Sequence, residues 1–233
     1  MALPRLDTPT YELQLPSTGD TIKYRPFLVK EQKLLMMAKE SEDNTQVYQM
    51  VKDLIASCTF DVIKPEELPI FDIEYIFIKL RAKSVGETVE VTVTCPDDNK
   101  TKIDVKVNLD DIEVQMDAAH SNTVQLTSNI KMIMNYPKLD TVDIDATDDY
   151  EGMFKMVRNC VGQIEIDDVV QNRIDFSDKE LDDFIDSMNT EQFKSVTSFF
   201  DTMPKVRHVI QVINPKTKVK GEVLVEGLNN FLV

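Results

Sequence analysis

The spacing of hydrophobic and polar residues changes several times along this chain, and each spacing predicts a type of secondary structure. Apolar residues alternate with polar ones over residues 11–15 and 21–27. A short segment with a glycine separates the two runs. Alternation on both sides of such a segment predicts a β-hairpin at the start of the chain.

Three amphipathic helices are predicted after this hairpin. The first begins near residue 29, and Leu34, Leu35 and Ala38 are expected to face the core. The second follows Asn44, and the third occupies residues 70–82. The other positions expected to be buried are Val47, Val51, Leu54, Ile55 and Cys58 in the second helix, and Ile73, Ile76, Phe77 and Leu80 in the third.

Strict alternation returns near residue 89 and predicts a second hairpin. Its strands cover residues 89–95 and 103–109, and a segment beginning with proline forms the turn between them. One face is apolar and the other polar, which is typical of an antiparallel sheet with one face in water. Further strands are predicted within residues 122–136, including the segment IKMIMNY.

Three more helices are predicted in the second half of the chain. The first lies near residues 153–160. Ser177 and Glu180 have the spacing of a capping box, which predicts the start of the next helix. Asn189 is expected to cap the third helix, and Pro204 to end it.

The last predicted element is another hairpin, with its turn beginning at Asn214 and with Val209 and Val212 expected to face the core. Each long hairpin follows a group of helices, so the pattern predicts an α+β fold of short helices and antiparallel β-hairpins. The repetition suggests two similar halves, residues 1–115 and 116–233. One continuous domain is the alternative, because two ordinary hairpins can resemble each other by chance.

Composition and charge narrow the classes of partner. The chain has 26 Lys and Arg against 41 Asp and Glu, a formal charge of −15, which repels phosphate backbones and argues against nucleic acid. The longest apolar run, residues 70–80, contains Asp72, Glu74 and Lys79, so no membrane span is expected. The N-terminus has no leader pattern, which favours the cytoplasm of the cell that makes the protein. A basic or mixed-charge protein is the expected partner.

The sequence gives little support to a metal site or a disulfide bond. Cys58, Cys95 and Cys160 are far apart and odd in number, and the two histidines, His120 and His208, are isolated. An EF-hand frame starting at Asp143 places Asp148 where glycine is needed and Phe154 where the bidentate glutamate belongs. We therefore expect no metal and no cofactor.

Catalytic motifs are also missing from the sequence. It contains no Gly-x-Ser-x-Gly elbow and no glycine-rich phosphate loop, and its six glycines are scattered. It has no tryptophan, and in so acidic a chain paired carboxylates carry little information. These features predict a protein that is not an enzyme.

Two features remain as candidates for function. Arg25 precedes a proline and is therefore extended, so it can hold a carboxylate through two hydrogen bonds, either within this fold or on a partner. The intramolecular alternative is favoured, because acidic residues are plentiful here and arginines few. Met36 and Met37, with Met50, can form an adaptable docking surface or fill the core.

Several segments together resemble a known family. The segment LPSTGDTIKYRPFLVKEQKLLMMAKES carries a corner formed by Arg25, Pro26 and Phe27, followed by a helix rich in Lys and Glu. Three further segments, LRAKSVGETVEVTVTC, LDDIEV and EGLNNFL, complete the pattern. The second motif consists of Arg81, Lys83, Ser84, Gly86 and Glu87. In combination these segments resemble the baseplate hub subunit family of T-even-like contractile-tailed bacteriophages.

This resemblance implies a non-enzymatic structural or assembly protein of the tail baseplate hub. Its implied partners are other hub proteins, with the tape-measure protein as a further candidate, and the residues of the two motifs form a partner-docking or structural corner. The protein is expected in the host cytoplasm during assembly and in the virion tail baseplate if it is retained. Two alternatives stay open: a tail assembly chaperone absent from the mature virion, and a hub-associated hydrolase acting on peptidoglycan. Oligomeric state is also left open.

Overall fold

The computed structural model describes residues 6–40, 44–140 and 150–227. In these ranges it confirms the predicted α+β fold, with helices interspersed among short antiparallel strands. The helices are α1 (Val29–Glu40), α2 (Asn44–Cys58), α3 (Ile70–Ser84), α4 (Tyr150–Cys160), α5 (Asp178–Asp186) and α6 (Thr190–Thr202), with 3-10 turns at Pro65–Glu67, Leu109–Asp111 and Arg173–Asp175.

The strands are β1 (Tyr11–Gln14), β2 (Thr21–Tyr24), β3 (Thr88–Thr94), β4 (Lys102–Asn108), β5 (Glu113–Gln115), β6 (Thr123–Gln125), β7 (Ile130–Met134), β8 (Val161–Ile166), β9 (Val169–Asn172), β10 (Lys205–Ile213) and β11 (Lys220–Glu226). Among the described residues they form four antiparallel sheets, ordered β1-β2, β3-β4, β11-β10-β5 and β6-β7-β8-β9.

The chain folds as two compact units. The first combines the described residues up to Gln115 with those from Lys205 onward, and the second is Met116–Pro204. This grouping differs from the predicted division into residues 1–115 and 116–233. The reason is strand pairing: β10 pairs with β5, with Val206 opposite Val114, and this brings the last hairpin into the first unit.

In the first unit, α2 and α3 bury the apolar positions that the sequence predicts. Val51, Ile55 and Cys58 of α2 are fully buried, as are Ile73 and Phe77 of α3. Helix α3 also buries residues outside the predicted face, among them Ile78 and Ala82. A helix that is apolar on several sides lies at the centre of its unit.

The prediction for α1 is wrong at Leu34, which is 48% exposed. The buried positions of this helix are Glu31 and Ala38, with Leu35 half-buried between them. Residues 31, 35 and 38 follow the i, i+4, i+7 spacing of one helix face. The buried face of α1 is therefore centred on a glutamate, and Leu34 lies beside it.

The second unit has a core between the sheet β6-β7-β8-β9 and the helices α4, α5 and α6. The capping box at Ser177 and the helix cap at Asn189 are confirmed, and so is the strand predicted in IKMIMNY, which contains β7. The hairpin of β8 and β9 was not predicted. The first seven positions of the EF-hand frame, residues 143–149, lie outside the described residues.

In the last hairpin, the strands and the turn at Asn214 are confirmed, but the inward position of Val209 is wrong. Val209 is 44% exposed, whereas Val206, Ile210 and Val212 are buried. Side chains alternate between the two faces of a strand, so residues 209 and 212 cannot share one.

Candidate functional site

Arg25 lies directly after β2 and holds a carboxylate of its own chain. Its guanidinium donates one hydrogen bond to each carboxylate oxygen of Glu31, from Nη1 over 3.0 Å and from Nη2 over 2.8 Å. The side chains of Arg25 and Glu31 are only 14% and 10% exposed. The ion pair is therefore bidentate and largely shielded from water, the arrangement in which such pairs are strongest.

Glu31 receives further hydrogen bonds. The backbone N–H of Leu28 donates to Oε2 over 2.6 Å, and the hydroxyl of Ser57 donates to Oε1 over 3.0 Å. Burial alone would raise the pKa of Glu31. The hydrogen bonds from Arg25, Leu28 and Ser57 outweigh burial and lower this pKa to about 2. Glu31 is thus an anion throughout the physiological range, and its bond to the Leu28 amide caps the first turn of α1.

The arginine also joins β2 to α2. Nη2 of Arg25 donates to Oγ of Ser57 over 2.8 Å, and the backbone N–H of Arg25 donates to the carbonyl of Cys58 over 2.9 Å. Arg25 therefore connects a strand, the start of α1 and the end of α2 through one side chain and one amide.

The two motifs that carry the family resemblance meet in this unit. The backbone N–H of Phe27 donates to Oγ of Ser84 over 2.9 Å, although the two residues are 57 positions apart. The same hydroxyl donates to the carbonyl of Leu80 over 2.5 Å, so it both accepts and donates. Phe27 itself is buried. The corner after β2 is in this way attached to the last turn of α3.

The rest of the second motif makes contacts of its own. Nζ of Lys83 lies 2.9 Å from Glu87 and 3.0 Å from Asp110, and these two partners raise the pKa of Lys83. Gly86 has a φ of +147°, a backbone conformation that favours glycine. Arg81 is buried, which lowers its pKa. These residues shape the connection from α3 to β3.

Sequence reasoning named Arg25 and Lys83 but missed the side chains that hold them. Glu31 and Asp110 lie within the segments that carry the resemblance but were not recognised as partners, and Ser57 lies in none of those segments. For Glu31 a local signal existed: it lies three residues after Leu28, the position from which a helical glutamate returns to the capping amide. The contacts of Ser57 and Asp110 depend on how helices and loops pack together. No local sequence pattern predicts that packing.

A groove between α1 and α2 adjoins this network. It encloses a cavity of about 250 Å³ whose apolar lining comes from Leu34, Leu35, Met50 and Leu54. Glu31 and Ser57 lie at the same cavity, and so do the charged side chains of Lys30 and Asp53.

Met36 and Met37, on the outside of α1, are 58% and 56% exposed, which places both outside the core.

The three cysteines are free and buried. Burial raises the pKa of Cys58 to about 12 and that of Cys160 to about 12 as well, so both thiols stay protonated at neutral pH. Over residues 6–40, 44–140 and 150–227, no three His, Cys, Asp or Glu side chains converge as metal ligands would. In the same ranges no helix is long and apolar enough to cross a membrane.

Comparison with known proteins gives one positive finding. The sequence model of a family described as T4 bacteriophage base plate protein matches residues 8–233. No curated protein matches the chain, and no solved structure does.

Proposed function

Because the chain belongs to the T4 bacteriophage base plate protein family, we propose that it is a structural protein of the baseplate hub that acts through contacts with other proteins. The observation that carries this proposal is the family match, which covers nearly the whole chain. The hub is favoured within the baseplate because the motifs at residues 25–27 and 81–87 resemble those of hub subunits.

The proposal includes no catalysed reaction. In the sequence, Arg25 is the strongest candidate for a functional side chain. Both of its Nη atoms form hydrogen bonds within the chain. A guanidinium held in this way fixes the position of α1 against α2. Lys83 is similarly engaged with Glu87 and Asp110. These contacts support a rigid corner that presents surfaces to neighbouring proteins, with no cofactor required.

The partners in this proposal are other hub proteins, and the tape-measure protein is a further candidate. The protein would assemble in the host cytoplasm and remain in the tail baseplate. A charge of −15 supports contacts with basic or mixed-charge proteins, because complementary charge speeds encounter and selects partners.

The test is a mass-spectrometric inventory of purified tails, compared with proteins that co-purify with the tagged chain from infected cells. A retained subunit is present in both, at a fixed ratio to other baseplate proteins. A chaperone is present only in the infected-cell sample, and that result would replace the structural role with the chaperone alternative. Normal baseplates made without the chain would overturn both.

A further inference from the structure

We propose that two copies of this chain pair through the free edge of β4 and form one antiparallel sheet across a twofold axis. The inference goes beyond the proposed function, which leaves the oligomeric state open, and does not depend on it. Strands β3 and β4 form a sheet of two strands, so the edge of β4 away from β3 pairs with no described strand. Such an edge presents N–H and C=O groups that can bind another strand.

The hydrogen bonds at the two ends of the hairpin show which residues of β4 direct their backbone groups to the free edge. Near the turn, the N–H of Cys95 donates to the carbonyl of Thr101 over 2.8 Å. At the other end, the N–H of Leu109 donates to the carbonyl of Glu87 over 2.7 Å. Residues that bond across an antiparallel pair alternate with residues that do not, so the odd-numbered residues of β4 bond to β3. The even-numbered residues face the free edge: Lys102, Asp104, Lys106 and Asn108.

The apolar face of the hairpin is less well covered along this edge. Val89, Val91 and Val93 of β3 are buried, whereas Ile103 and Val105 of β4 are only half-buried. A further strand beside β4 would cover Ile103 and Val105 with its own apolar side chains. The opposite edge, along β3, offers no such gain because its three valines are already buried.

The charges of β4 select a second copy of the same strand as the occupant. When two β4 strands pair antiparallel, one register places Asp104 opposite Lys106 of the other copy, and the twofold axis repeats this pair. Lys102 then lies opposite Asn108, so no like charges are directly opposite. Opposite charges across a strand pair stabilise it, and like charges destabilise it. A shift of two residues brings Asp104 opposite Asp104 in one direction and Lys106 opposite Lys106 in the other.

These side chains are available for the pairing. Lys106 forms no salt bridge with a described residue. Asp104 accepts a hydrogen bond from the hydroxyl of Thr92 through Oδ1 over 2.6 Å, which leaves Oδ2 for a lysine. Both residues are exposed.

The same register also suits the apolar face. It places Val105 opposite Val105 and Ile103 opposite Val107 of the other copy. The two half-buried side chains of each β4 therefore gain apolar neighbours. The strand contains no proline, and it pairs with β3 over seven residues without a bulge, so it lacks two of the devices that keep edge strands apart.

Two features of the chain oppose this association, and neither prevents it. Lysine on an edge strand often blocks pairing, but in this register each Lys106 meets a carboxylate. The charge of −15 makes two copies repel each other, but salt screens this repulsion beyond about 8 Å at physiological ionic strength. The edge itself carries two lysines and one aspartate, so it is not a negative surface.

A cysteine at position 105 tests the register directly. Residue 105 faces its own copy as a non-hydrogen-bonded pair, with the Cα atoms about 4.5 Å apart, which is within the range of a disulfide. We expect purified Val105→Cys to form a covalent dimer under mild oxidation. The wild-type chain, whose three cysteines are buried, should not form one.

Ile103→Cys is the matched control for Val105→Cys. It lies on the same face of the same strand and is also half-buried, but the two copies of residue 103 are four positions apart in this register, about 13 Å. Thermal unfolding shows that each variant is folded. No dimer from a folded Val105→Cys, or equal yields from the two variants, would overturn the proposal.

Sedimentation equilibrium of the full chain measures the Kd of the dimer and tests the charge pairs. Lys106→Asp places aspartate opposite Asp104 twice and should raise the Kd at least about fivefold. Lys102→Asp makes the same charge change opposite Asn108 and should leave the Kd within about twofold. A mixture of Lys106→Asp and Asp104→Lys restores opposite charges at both positions and should associate within about threefold of the wild type.

Three outcomes of the sedimentation experiment would contradict the proposal: a wild-type chain that stays monomeric at every concentration, equal weakening by Lys106→Asp and Lys102→Asp, or no association in the mixture. A monomeric wild type would leave the proposed function untouched, because that function is tested by the inventory of purified tails.

Discussion

Asp97 accepts two hydrogen bonds from the side-chain amide of Asn214, over 2.9 and 3.1 Å, and so joins the turns of two hairpins 117 residues apart. Asp97 lies in the turn between β3 and β4, and Asn214 begins the turn between β10 and β11. The hydroxyl of Thr217 donates to the same carboxylate, and these bonds lower the pKa of Asp97. The two hairpins that look alike in the sequence are therefore in contact within one unit.

Asn214→Ala tests this connection. Asn214 is 1% exposed, and its side-chain oxygen also accepts the backbone N–H of Lys216. We expect a loss of about 1 kcal/mol in the free energy of unfolding, measured by urea denaturation, because a buried turn loses several hydrogen bonds at once. Gln211→Ala is the control, since its bond to Glu222 is exposed and should matter little. Equal effects of the two substitutions would contradict the argument.

Gly221→Ala tests how closely the same hairpins approach. A Cβ atom at position 221 would lie 2.6 Å from Cγ of Pro96, a proline ring that has little freedom to move away. We expect a destabilisation of about 1–3 kcal/mol in the same denaturation experiment.

Pro96→Ala serves as the matched second change, because it removes the atom that the new Cβ would meet. In the double variant, the added cost of Gly221→Ala should be much smaller than in the wild-type background. An unchanged cost would show that the contact is not its cause.

Arg25→Ala is expected to be more harmful than a surface ion-pair substitution. It leaves the Glu31 carboxylate buried without its main partner, which should cost about 3 kcal/mol in unfolding free energy. Lys23→Ala is the control: Lys23 and Glu12 also pair, but their side chains are 70% and 63% exposed, and the expected cost is about 0.5 kcal/mol or less.

The double variant Arg25→Leu/Glu31→Leu removes both charges of the ion pair but keeps side chains in the space that the pair fills. Removing both charges avoids the unpaired carboxylate, so this variant should be more stable than Arg25→Ala. If Arg25→Ala unfolded at the same urea concentration as the wild type and supported normal baseplate assembly, the corner would have no structural importance.

Glu31 should also contribute an acid-sensitive component of stability. Its pKa is about 2 in the fold, against 4.5 for an ordinary glutamate. The folded state therefore binds this proton less readily than the unfolded chain. The contribution is complete above pH 4.5 and is lost as the pH falls from 4.5 towards about 2.

Unfolding free energies across that range provide the measurement for Glu31. Glu31→Gln should show a smaller loss than the wild type, each relative to its own stability at neutral pH. Glu12→Gln, which alters an exposed carboxylate, should retain the wild-type profile. Parallel profiles for the wild type and Glu31→Gln would contradict the assignment.

The elements that could be predicted from the sequence are those with local signals. The long hairpin of β3 and β4 follows from alternation of period two, and Ser177 and Asn189 cap helices as their spacing indicates. The buried face of α1 was predicted wrongly at Leu34. Arg25, which lies before the helix, holds Glu31 in a buried position instead. That contact depends on tertiary packing and leaves no trace in the hydrophobic period.

The hairpin of β8 and β9 was missed for a local reason. Helix α4 ends at Cys160 and β8 begins at Val161, so no glycine or proline separates the helix from the strand. A signal did exist in Asp167 and Asp168, which adopt positive φ values of 48° and 65°. Aspartate is one of the few residues that tolerate this conformation, and a tight hairpin turn of type I′ needs a positive φ at both of its central residues.

Of the candidate site, the sequence supplied the residues of both motifs but not their contacts. Phe27 and Ser84 are joined by a backbone amide and a hydroxyl, groups present throughout any chain, so nothing in the sequence marks this pair. The pairing of β10 with β5 was hidden for a similar reason, because an edge strand can accept any strand with a compatible face.

His120 should make the second unit sensitive to mild acid. Its ring stacks on Tyr136 and lies 5.1 Å from the ring of Phe199, and Nδ1 is 2.9 Å from the hydroxyl of Thr202. Burial lowers the pKa of His120 below 6.5, against the opposing effect of Asp117. The folded state therefore resists protonation more than the unfolded chain, and stability should fall as the pH drops below 6.5.

Thermal unfolding followed by circular dichroism between about pH 7.5 and 5.5 measures this effect, since histidine is the side chain that titrates in that range. His120→Phe keeps an aromatic ring among Tyr136 and Phe199 but cannot be protonated, so its midpoint should vary less with pH than that of the wild type. His208→Phe removes the chain's other histidine, and a wild-type pH dependence in that variant would assign the effect to His120. A wild-type midpoint that does not change with pH would contradict the argument, because a histidine held neutral by burial must destabilise the fold when it gains a proton.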